Sequence, residues 1–437
     1  MVSVHGLAAA LQTLLTNDAD TAAKESGFIT RKRKISGAGF VQSLVLTWMN
    51  DPGAKLEDLA APLGVALQSL HERLSPKAVD CLRRVLQKAM VLVFTARPET
   101  IPLLRRFTEV VLEDSTTASL PASLAGEYPG CGGSSAEAGK AAVKVMAQIE
   151  IITGEVRLIE PAPGRASDRT LHASLPPLPP GSLRLTDLGF FDLERLERDT
   201  QQEISWISRV PARLRVQSDG EPALNISEWL QRRTSDRVDT FVTLGSKGRR
   251  LKCRLVAIRT PPEVAKLRLE RLERTLNKKG RKLSEAQRVL CQWTVMITNV
   301  IDTERFSAEQ LWVLYRVRWQ IELVFNRWKS GGGLGQSRGR LACRVLCEFL
   351  AKLLAVMIKH WATLLRGGPL CVVSATRAGA RVKWWAGRLA EALGSGELGP
   401  VVRVLTLLKK DLDSLPKRPR RARPTTRQLL FAPRFAA

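Results

Sequence analysis

Four side chains that could bind a phosphodiester recur at helical spacing between residues 315 and 329. They are Tyr315, Arg318, Glu322 and Lys329, which an ideal helix places at about 0°, 300°, 340° and 320° around its axis. All four therefore share one stripe. A carboxylate can bind a metal ion, and a guanidinium, an ammonium and a phenol can bind phosphate oxygens. The same spacing is also typical of an ordinary charged face with Glu/Arg pairs, so the stripe alone does not decide between the two interpretations.

Two aspartates supply a second observation. Asp114 ends the β-rich run 107–114, and Asp187 ends the run 182–187. A lone Asp at a strand end is usually a turn or cap residue, but two such carboxylates can converge with that of Glu322. Mg²⁺ prefers oxygen ligands and is held by two or three carboxylates. Two such ions could activate an attacking oxygen and stabilise a leaving one, which is the chemistry of phosphodiester hydrolysis and strand transfer.

The charge balance favours a polyanionic partner. The chain has 437 residues, and its 68 Lys and Arg against 42 Asp and Glu give a formal net charge of +26. Such an excess indicates nucleic acid first and an anionic membrane second. The four His are scattered, which argues against a His-based triad or a zinc hydrolase. Seven Cys without a secretion-signal pattern indicate reduced thiols in a cytosol, and no apolar run reaches the roughly 18–20 residues of a membrane span.

The N-terminal region, residues 1–100, is predicted to be helical, because Leu and Ala recur there at spacings of three and four. The segment 56–74 resembles a helix-turn-helix with residues 66–74 as its recognition helix. A generic helical hairpin is the alternative, and Pro62 inside the first helix favours it.

The rest of the chain divides by composition. Residues 101–210 predict strands at 107–114, 143–152, 155–159, 182–187 and 203–210, with a helix at 190–198. Residues 211–292 are basic with short β runs, and residues 293–370 contain a strand at 293–300 and helices at 307–329 and 343–365. Residues 371–437 predict a helical C-terminal region. Its basic, Pro-rich tail, residues 417–424, is expected to be disordered and could add DNA affinity, contact another subunit or be merely solvated.

The residues resemble a known family, the DDE transposases of the insertion sequence 4 family. The signature Tyr-x2-Arg-x3-Glu-x6-Lys is matched at all four positions from Tyr315 to Lys329. The segment Glu113-Asp-Ser-Thr116 resembles the first catalytic segment of that family, and Thr186-Asp-Leu-Gly-Phe-Phe191 resembles the second. The likeness runs from about residue 107 to residue 365, more than half of the chain. The prolines between 176 and 180 depart from it, because the family often has a clearer helix after the third strand.

The resemblance implies an α/β fold: a ribonuclease-H-like catalytic core with a β-rich insertion domain at 211–292, preceded by an α-helical N-terminal DNA-binding region. It also implies that Asp114, Asp187 and Glu322 bind two Mg²⁺ or Mn²⁺ ions. The residues Tyr315, Arg318 and Lys329 would then hold phosphates. Trp293 resembles the insertion-domain tryptophan that stacks on a flipped base, and a core tryptophan is the alternative.

The expected function is cut-and-paste DNA transposition by metal-dependent phosphodiester hydrolysis and strand transfer at terminal inverted repeats. The resemblance implies a homodimer on double-stranded DNA, including target DNA, in a bacterial cytoplasm near the nucleoid and away from membranes. Two alternatives remain: a catalytically inactive or repurposed DNA-binding protein, and another ribonuclease-H-like nuclease.

Overall fold

The computed structural model describes residues 1–31, 34–98, 100–131, 140–246, 249–278, 280–337, 339, 341–371, 373–417 and 424–433. The strands are β1 Val110–Leu120, β2 Ala141–Glu150, β3 Val156–Leu158, β4 Ala162–Pro163, β5 Leu183–Thr186, β6 Ser205–Arg209, β7 Arg215–Gln217, β8 Leu224–Asn225, β9 Arg237–Ser246, β10 Arg249–Arg259 and β11 Trp293–Thr298. The helices are α1 Val4–Thr13, α2 Ala19–Glu25, α3 Gly37–Asn50, α4 Leu56–Ala60, α5 Leu67–Arg73, α6 Pro76–Met90, α7 Asp168–His172, α8 Leu193–Gln201, α9 Ile226–Gln231, α10 Pro262–Asn277, α11 Glu285–Cys291, α12 Ala308–Val317, α13 Trp319–Asn326, α14 Ala342–Leu364, α15 Ala375–Trp384, α16 Ala386–Gly394, α17 Leu398–Asp413 and α18 Thr426–Phe431.

The chain forms two compact units. The first contains Met1–Glu99, Asp114–Pro176 and Gln320–Arg420, and the second contains Thr100–Glu113, Pro177–Trp319 and Arg421–Ala437. The mixed α/β class expected from the sequence is confirmed.

The first unit is mostly helical, with α14 at its centre. This helix is apolar on nearly every side, and it packs against α3 and α6. Next to the helices lies a small sheet in which β2 is flanked by β3 and the later part of β1. The hairpin predicted around Thr153 and Gly154 is present, since β2 and β3 pair antiparallel, with Ile149 opposite Val156.

The predicted helix-turn-helix segment has two short helices, α4 and α5. Residues Ala61–Leu63 form a 3₁₀ turn that contains Pro62, and Gly64 follows with a φ of +60°. Proline therefore lies in the turn rather than inside a helix, because the ring removes a hydrogen-bond donor that the turn does not need. A helical hairpin is thus present, and its binding to DNA remains a prediction.

The second unit is built on an open sheet in the order β1-β5-β6-β11-β10-β9-β7-β8. The first three strands are parallel, with Val110 opposite Leu183 and Leu183 opposite Ser205. The next four strands pair antiparallel. Three fully buried tryptophans, Trp206, Trp229 and Trp293, belong to the hydrophobic core of this unit.

Two sequence predictions need correction. Strand β1 continues to Leu120 instead of ending at Asp114, because Ser115, Thr116 and Thr117 also suit a strand and β2 pairs with this later part. The helix predicted over 307–329 is divided: α12 ends at Val317, α13 spans Trp319–Asn326, and residues Arg327–Gly331 form a π turn.

Other predictions are confirmed, including the strands at 182–187 and 203–210 and the long buried helix at 343–365. Ser307 caps α12 as predicted, in a capping box with Gln310. Most of the basic tail, residues 418–423, lies outside the described residues. None of the described helices combines the length and apolarity that a membrane-spanning segment requires.

Candidate active site

In the second unit, the first candidate catalytic residue, Asp187, lies directly after strand β5. The parallel register pairs Glu113 of β1 with Thr186, the last residue of β5. Asp187 follows Thr186 directly and starts a 3₁₀ turn, Leu188–Phe190. Its side chain is 47% exposed, so the carboxylate can reach a ligand. The prediction that Asp187 ends a strand is confirmed.

Asp187 has a cationic neighbour on the following helix pair. The Nη2 atom of Arg318 lies 4.0 Å from Oδ1 of Asp187, and the Arg318 side chain is only 14% exposed. Arg318 occupies the single turn residue that separates α12 from α13. Arg318 therefore lies at a break between two helices. The stripe predicted from spacing assumed one continuous helix and did not include this break.

Tyr315 lies one turn before Arg318, and the guanidinium carbon of Arg318 is 5.9 Å from the centre of its ring. Burial raises the pKa of the Tyr315 phenol to about 12, with Arg318 and Arg209 opposing that rise and Asp187 adding to it. The phenol is therefore protonated at neutral pH. The Arg318 guanidinium lies beside this hydroxyl and can only donate to it, so the proton of the phenol is still able to donate to a ligand.

A charged network lies within the second unit directly before the first aspartate. Glu113 is fully buried and accepts hydrogen bonds from Arg184 and, at 2.8 Å, from Nη2 of Arg195. Asp199 lies 2.9 Å from Nε of Arg184 and completes the set. The network ties β1, β5 and α8 together where the parallel pairing of β1 with β5 ends. The sequence analysis missed it, although charged residues inside otherwise apolar strands were the available signal.

The first unit carries Asp114, Glu322 and Lys329. Asp114 is half-buried within β1, and its Oδ1 accepts a hydrogen bond from the backbone N–H of Ser115 at 2.8 Å. Glu322 is half-buried in the first turn of α13, and Lys329 is exposed in the π turn that follows this helix. Because the helix breaks at Arg318 and widens at Arg327, the four signature residues do not lie on one ideal helix.

Trp293 has the environment of a core residue. It begins β11, is 1% exposed, and packs in the hydrophobic core of the second unit. The Arg259 guanidinium covers the ring at 4.6 Å from its centre. A flipped base therefore has no open ring face on which to stack, and the core alternative is the one that the structure shows.

Carboxylates next to arginines suit a reaction on a phosphodiester, because the acids can hold divalent cations and the arginines can bind phosphate oxygens. Within either unit, the described side chains contain no group of three His, Cys, Asp or Glu arranged to hold a metal ion. Asp187 after β5, with the arginine Arg318 and the phenol of Tyr315 nearby, is therefore the part of the second unit that best suits a phosphodiester.

Comparison with known proteins identifies the family. A family model described as "Transposase DDE domain" matches residues 105–358, and the chain belongs to this family. The chain is similar to the transposase for insertion sequence element IS231C of Bacillus thuringiensis subsp. berliner, with 27% identity over 367 residues, 77% of this chain and 75% of the relative. It is also similar to the transposase for IS1151 of Clostridium perfringens, with 24% identity over 372 residues, 78% and 77% of the two chains.

A shorter match is the putative transposase InsL for IS186A of Escherichia coli (strain K12), with 35% identity over 97 residues, 21% of this chain and 26% of the relative. The protein is therefore a DDE transposase, an enzyme that acts on DNA.

Proposed function

We propose that this transposase belongs to the insertion sequence 4 family and moves its element by a cut-and-paste reaction at terminal inverted repeats. In this proposal Asp114, Asp187 and Glu322 together hold two divalent ions, Mg²⁺ or Mn²⁺. Tyr315, Arg318 and Lys329 bind the phosphates of the cleaved end.

The observation that carries the proposal is the register of the two parallel strands. Glu113 is paired with Thr186, and the next residue along each chain segment is an aspartate, Asp114 or Asp187. Asp187 follows the end of β5, whereas β1 continues past Asp114, so the two aspartates occupy equivalent positions in the parallel register. The helix carrying Glu322 follows Arg318, which already lies 4.0 Å from Asp187.

The donor set fits divalent cations. All three acids offer carboxylate oxygens, the ligand type that Mg²⁺ and Mn²⁺ prefer. The ions would supply activation of the attacking oxygen and stabilisation of the leaving oxygen.

The remaining residues act on the phosphate. Arg318 has a fixed guanidinium that can donate to two phosphate oxygens, and Tyr315 keeps its proton and can donate from its buried hydroxyl. Lys329 is exposed and adds a cation.

In the first step a water oxygen bonds to phosphorus, the bond from phosphorus to the 3′ oxygen breaks, and that oxygen leaves as a 3′ hydroxyl. The 3′ hydroxyl then attacks a phosphorus of the opposite strand, which forms the hairpin as that phosphorus releases the 3′ oxygen of the flanking DNA. Water attacks the hairpin phosphorus and releases the 3′ hydroxyl again. This hydroxyl finally attacks a phosphorus of target DNA, whose own 3′ oxygen leaves.

Paired element ends require two sets of acids, so we propose that the protein acts as a homodimer on double-stranded DNA. A monomer that cleaved both ends in one complex would contradict this part. Analytical ultracentrifugation with end-bearing DNA measures the stoichiometry directly.

Single-turnover cleavage of DNA that carries the element ends tests the assignment of the acids. Asp187→Asn and Glu322→Gln should each slow Mg²⁺-dependent cleavage by more than about 100-fold, because loss of an outer-shell partner alone costs about 10–100-fold. The matched controls are the exposed residues Asp219→Asn and Glu304→Gln, which should cleave normally.

Cleavage by Glu322→Gln at the wild-type rate would remove Glu322 from the metal site. If the wild-type protein shifted end DNA in a gel but never cut it, the chain would be an inactive DNA-binding protein. Preference for RNA hybrids or branched DNA would select another ribonuclease-H-like nuclease.

A further inference from the structure

The C-terminal helices α15 and α16 present a basic face with an exposed tryptophan at its centre. Arg377, Arg381, Trp384 and Arg388 are all exposed and recur at spacings of four, three and four residues, which places them along one side of the helix pair. The residues that follow each of them, Ala378, Val382, Trp385 and Leu389, are buried. The four exposed residues are called the Arg–Trp face below. It lies beyond residue 358, where the match to the transposase domain ends.

The tryptophan on this face is held in place without being covered. Trp384 is 59% exposed, and its ring meets that of the buried Trp385 edge to face at 5.4 Å. The Arg388 guanidinium lies 5.1 Å from the Trp384 ring centre and 4.8 Å from the Trp385 ring centre. Trp385 donates from Nε1 to Asp411 of α17 at 2.9 Å, which anchors the pair.

The charges of this face are available to a ligand. Arg381 has an acidic neighbour, Asp411, at 3.7 Å, but its side chain remains half exposed and such surface pairs are weak. Residues 375–394 carry four basic side chains, the three arginines and Lys383, against the single acid Glu391. An exposed aromatic ring of this size with a rim of arginines is typical of an interaction surface.

We propose that the Arg–Trp face contacts the phosphate backbone of double-stranded DNA, with the three arginines on phosphates and Trp384 against the sugar edge. Arginine matches phosphate geometry better than lysine does, and phosphate contacts position a protein on a duplex without reading its sequence. A second copy of this chain fits poorly, because a two-fold contact would set the same arginines against one another. The proposal rests on DNA as the partner of a transposase and not on the assignment of the catalytic acids.

The test measures how duplex binding by the full chain depends on salt, with EDTA present so that no cleavage occurs. Each arginine–phosphate contact contributes about 0.9 to the slope of log affinity against log salt. The triple variant Arg377→Ala/Arg381→Ala/Arg388→Ala should therefore lose about 2.7 from that slope. When salt rises from 50 to 200 mM, the factor by which the wild type loses affinity should be about 40 times the factor for the triple variant. Fluorescence anisotropy with a labelled duplex measures both affinities.

Two further variants separate this contact from general effects. Arg403→Ala removes an exposed arginine from the neighbouring helix α17 and should leave the slope unchanged. Replacing the same three arginines by lysine should restore most of the slope, which also excludes misfolding as the cause. Because EDTA is present, the slope is measured without any cleavage, so a failure of the catalytic proposal would not change it.

An unchanged slope in the triple alanine variant would overturn the proposal, and so would an equal loss per residue in Arg403→Ala. Two other results would also overturn it by assigning the face elsewhere. One is a loss of binding to phosphatidylserine vesicles while the DNA slope stays constant. The other is a loss of dimer in light scattering with the DNA slope unaffected.

Discussion

Removing the buried carboxylate of Glu113 should severely destabilise the paired segments of β1 and β5. Glu113 is 0% exposed and receives hydrogen bonds from two guanidiniums, whose side chains are only 8% and 13% exposed. In Glu113→Ala, Arg184 and Arg195 lose this carboxylate and keep Asp199, so the two cations and two anions of the described cluster become two cations and one anion. Burial already lowers the pKa of Arg195, and Glu113 opposes that effect.

Breaking a buried ion pair by removing one partner costs about 3–5 kcal/mol. We therefore expect Glu113→Ala to lower the local free energy of opening by about 4 kcal/mol, which corresponds to about a thousandfold loss of protection. Amide hydrogen exchange of peptides covering 110–113 and 183–186 measures this directly. The matched control is Glu270→Ala, which removes an exposed partner 3.5 Å from Arg274 and should cost about 0–1 kcal/mol.

A double-mutant cycle gives the coupling itself. Arg195→Ala alone should also destabilise, but the double variant Glu113→Ala/Arg195→Ala should be more stable than the sum of the two single effects predicts, by about 1–3 kcal/mol. If Glu113→Ala changed protection no more than Glu270→Ala does, the inference that this network braces β1 and β5 would be wrong.

Three further predictions concern other parts of the chain. His360 is half-buried, with Nε2 2.7 Å from the Gly154 carbonyl oxygen, and burial lowers its pKa from 6.5 to about 4. The stability that depends on the neutral imidazole is therefore complete above pH 6.5 and is lost as pH falls towards 4. The wild type should lose about 2 kcal/mol more than His360→Gln between pH 7 and pH 5, measured by urea unfolding, and parallel pH curves would contradict this. Gly154 has a φ of +75°, and a Cβ added there would lie 2.7 Å from Pro369. The control is Gly220, which has a similar φ of +76° but open space around it. Gly154→Ala should therefore lower the melting temperature clearly more than Gly220→Ala does. Tyr315→Phe should slow end cleavage by about 5–20-fold with little loss of thermal stability, because it removes one hydroxyl beside Arg318 and keeps the packed ring; a strongly destabilised variant would show that this hydroxyl has a structural role instead.

The sequence predicted those elements whose boundaries are determined by residues close together in the chain. The Ser307 and Gln310 side chains cap α12 reciprocally, so its start was readable from a four-residue pattern. Strand β5 and the aspartate that follows it, Asp187, were also predictable from the local sequence, since a short β-prone run stops there at an acid. The four signature residues were found from residue type and spacing in the sequence, without knowledge of the shape of the helix.

Features that depend on tertiary partners were not predictable in this way. The continuation of β1 past Asp114 depends on pairing with β2, which lies far along the chain. The break at Arg318 leaves helical residues on both sides and so has no local signature. The buried position of Trp293 follows from the core that forms around it, and its sequence context was equally compatible with an exposed stacking ring.

The most direct test of the shared metal site is a crystal structure of the protein on its end DNA with Mn²⁺, using anomalous scattering to locate the ions. We expect anomalous peaks that mark ions bound by carboxylate oxygens of Asp114, Asp187 and Glu322. A Glu322 carboxylate more than about 10 Å from ions held by the two aspartates would contradict it, since such ions are separated by only about 3.5–4 Å in two-metal sites.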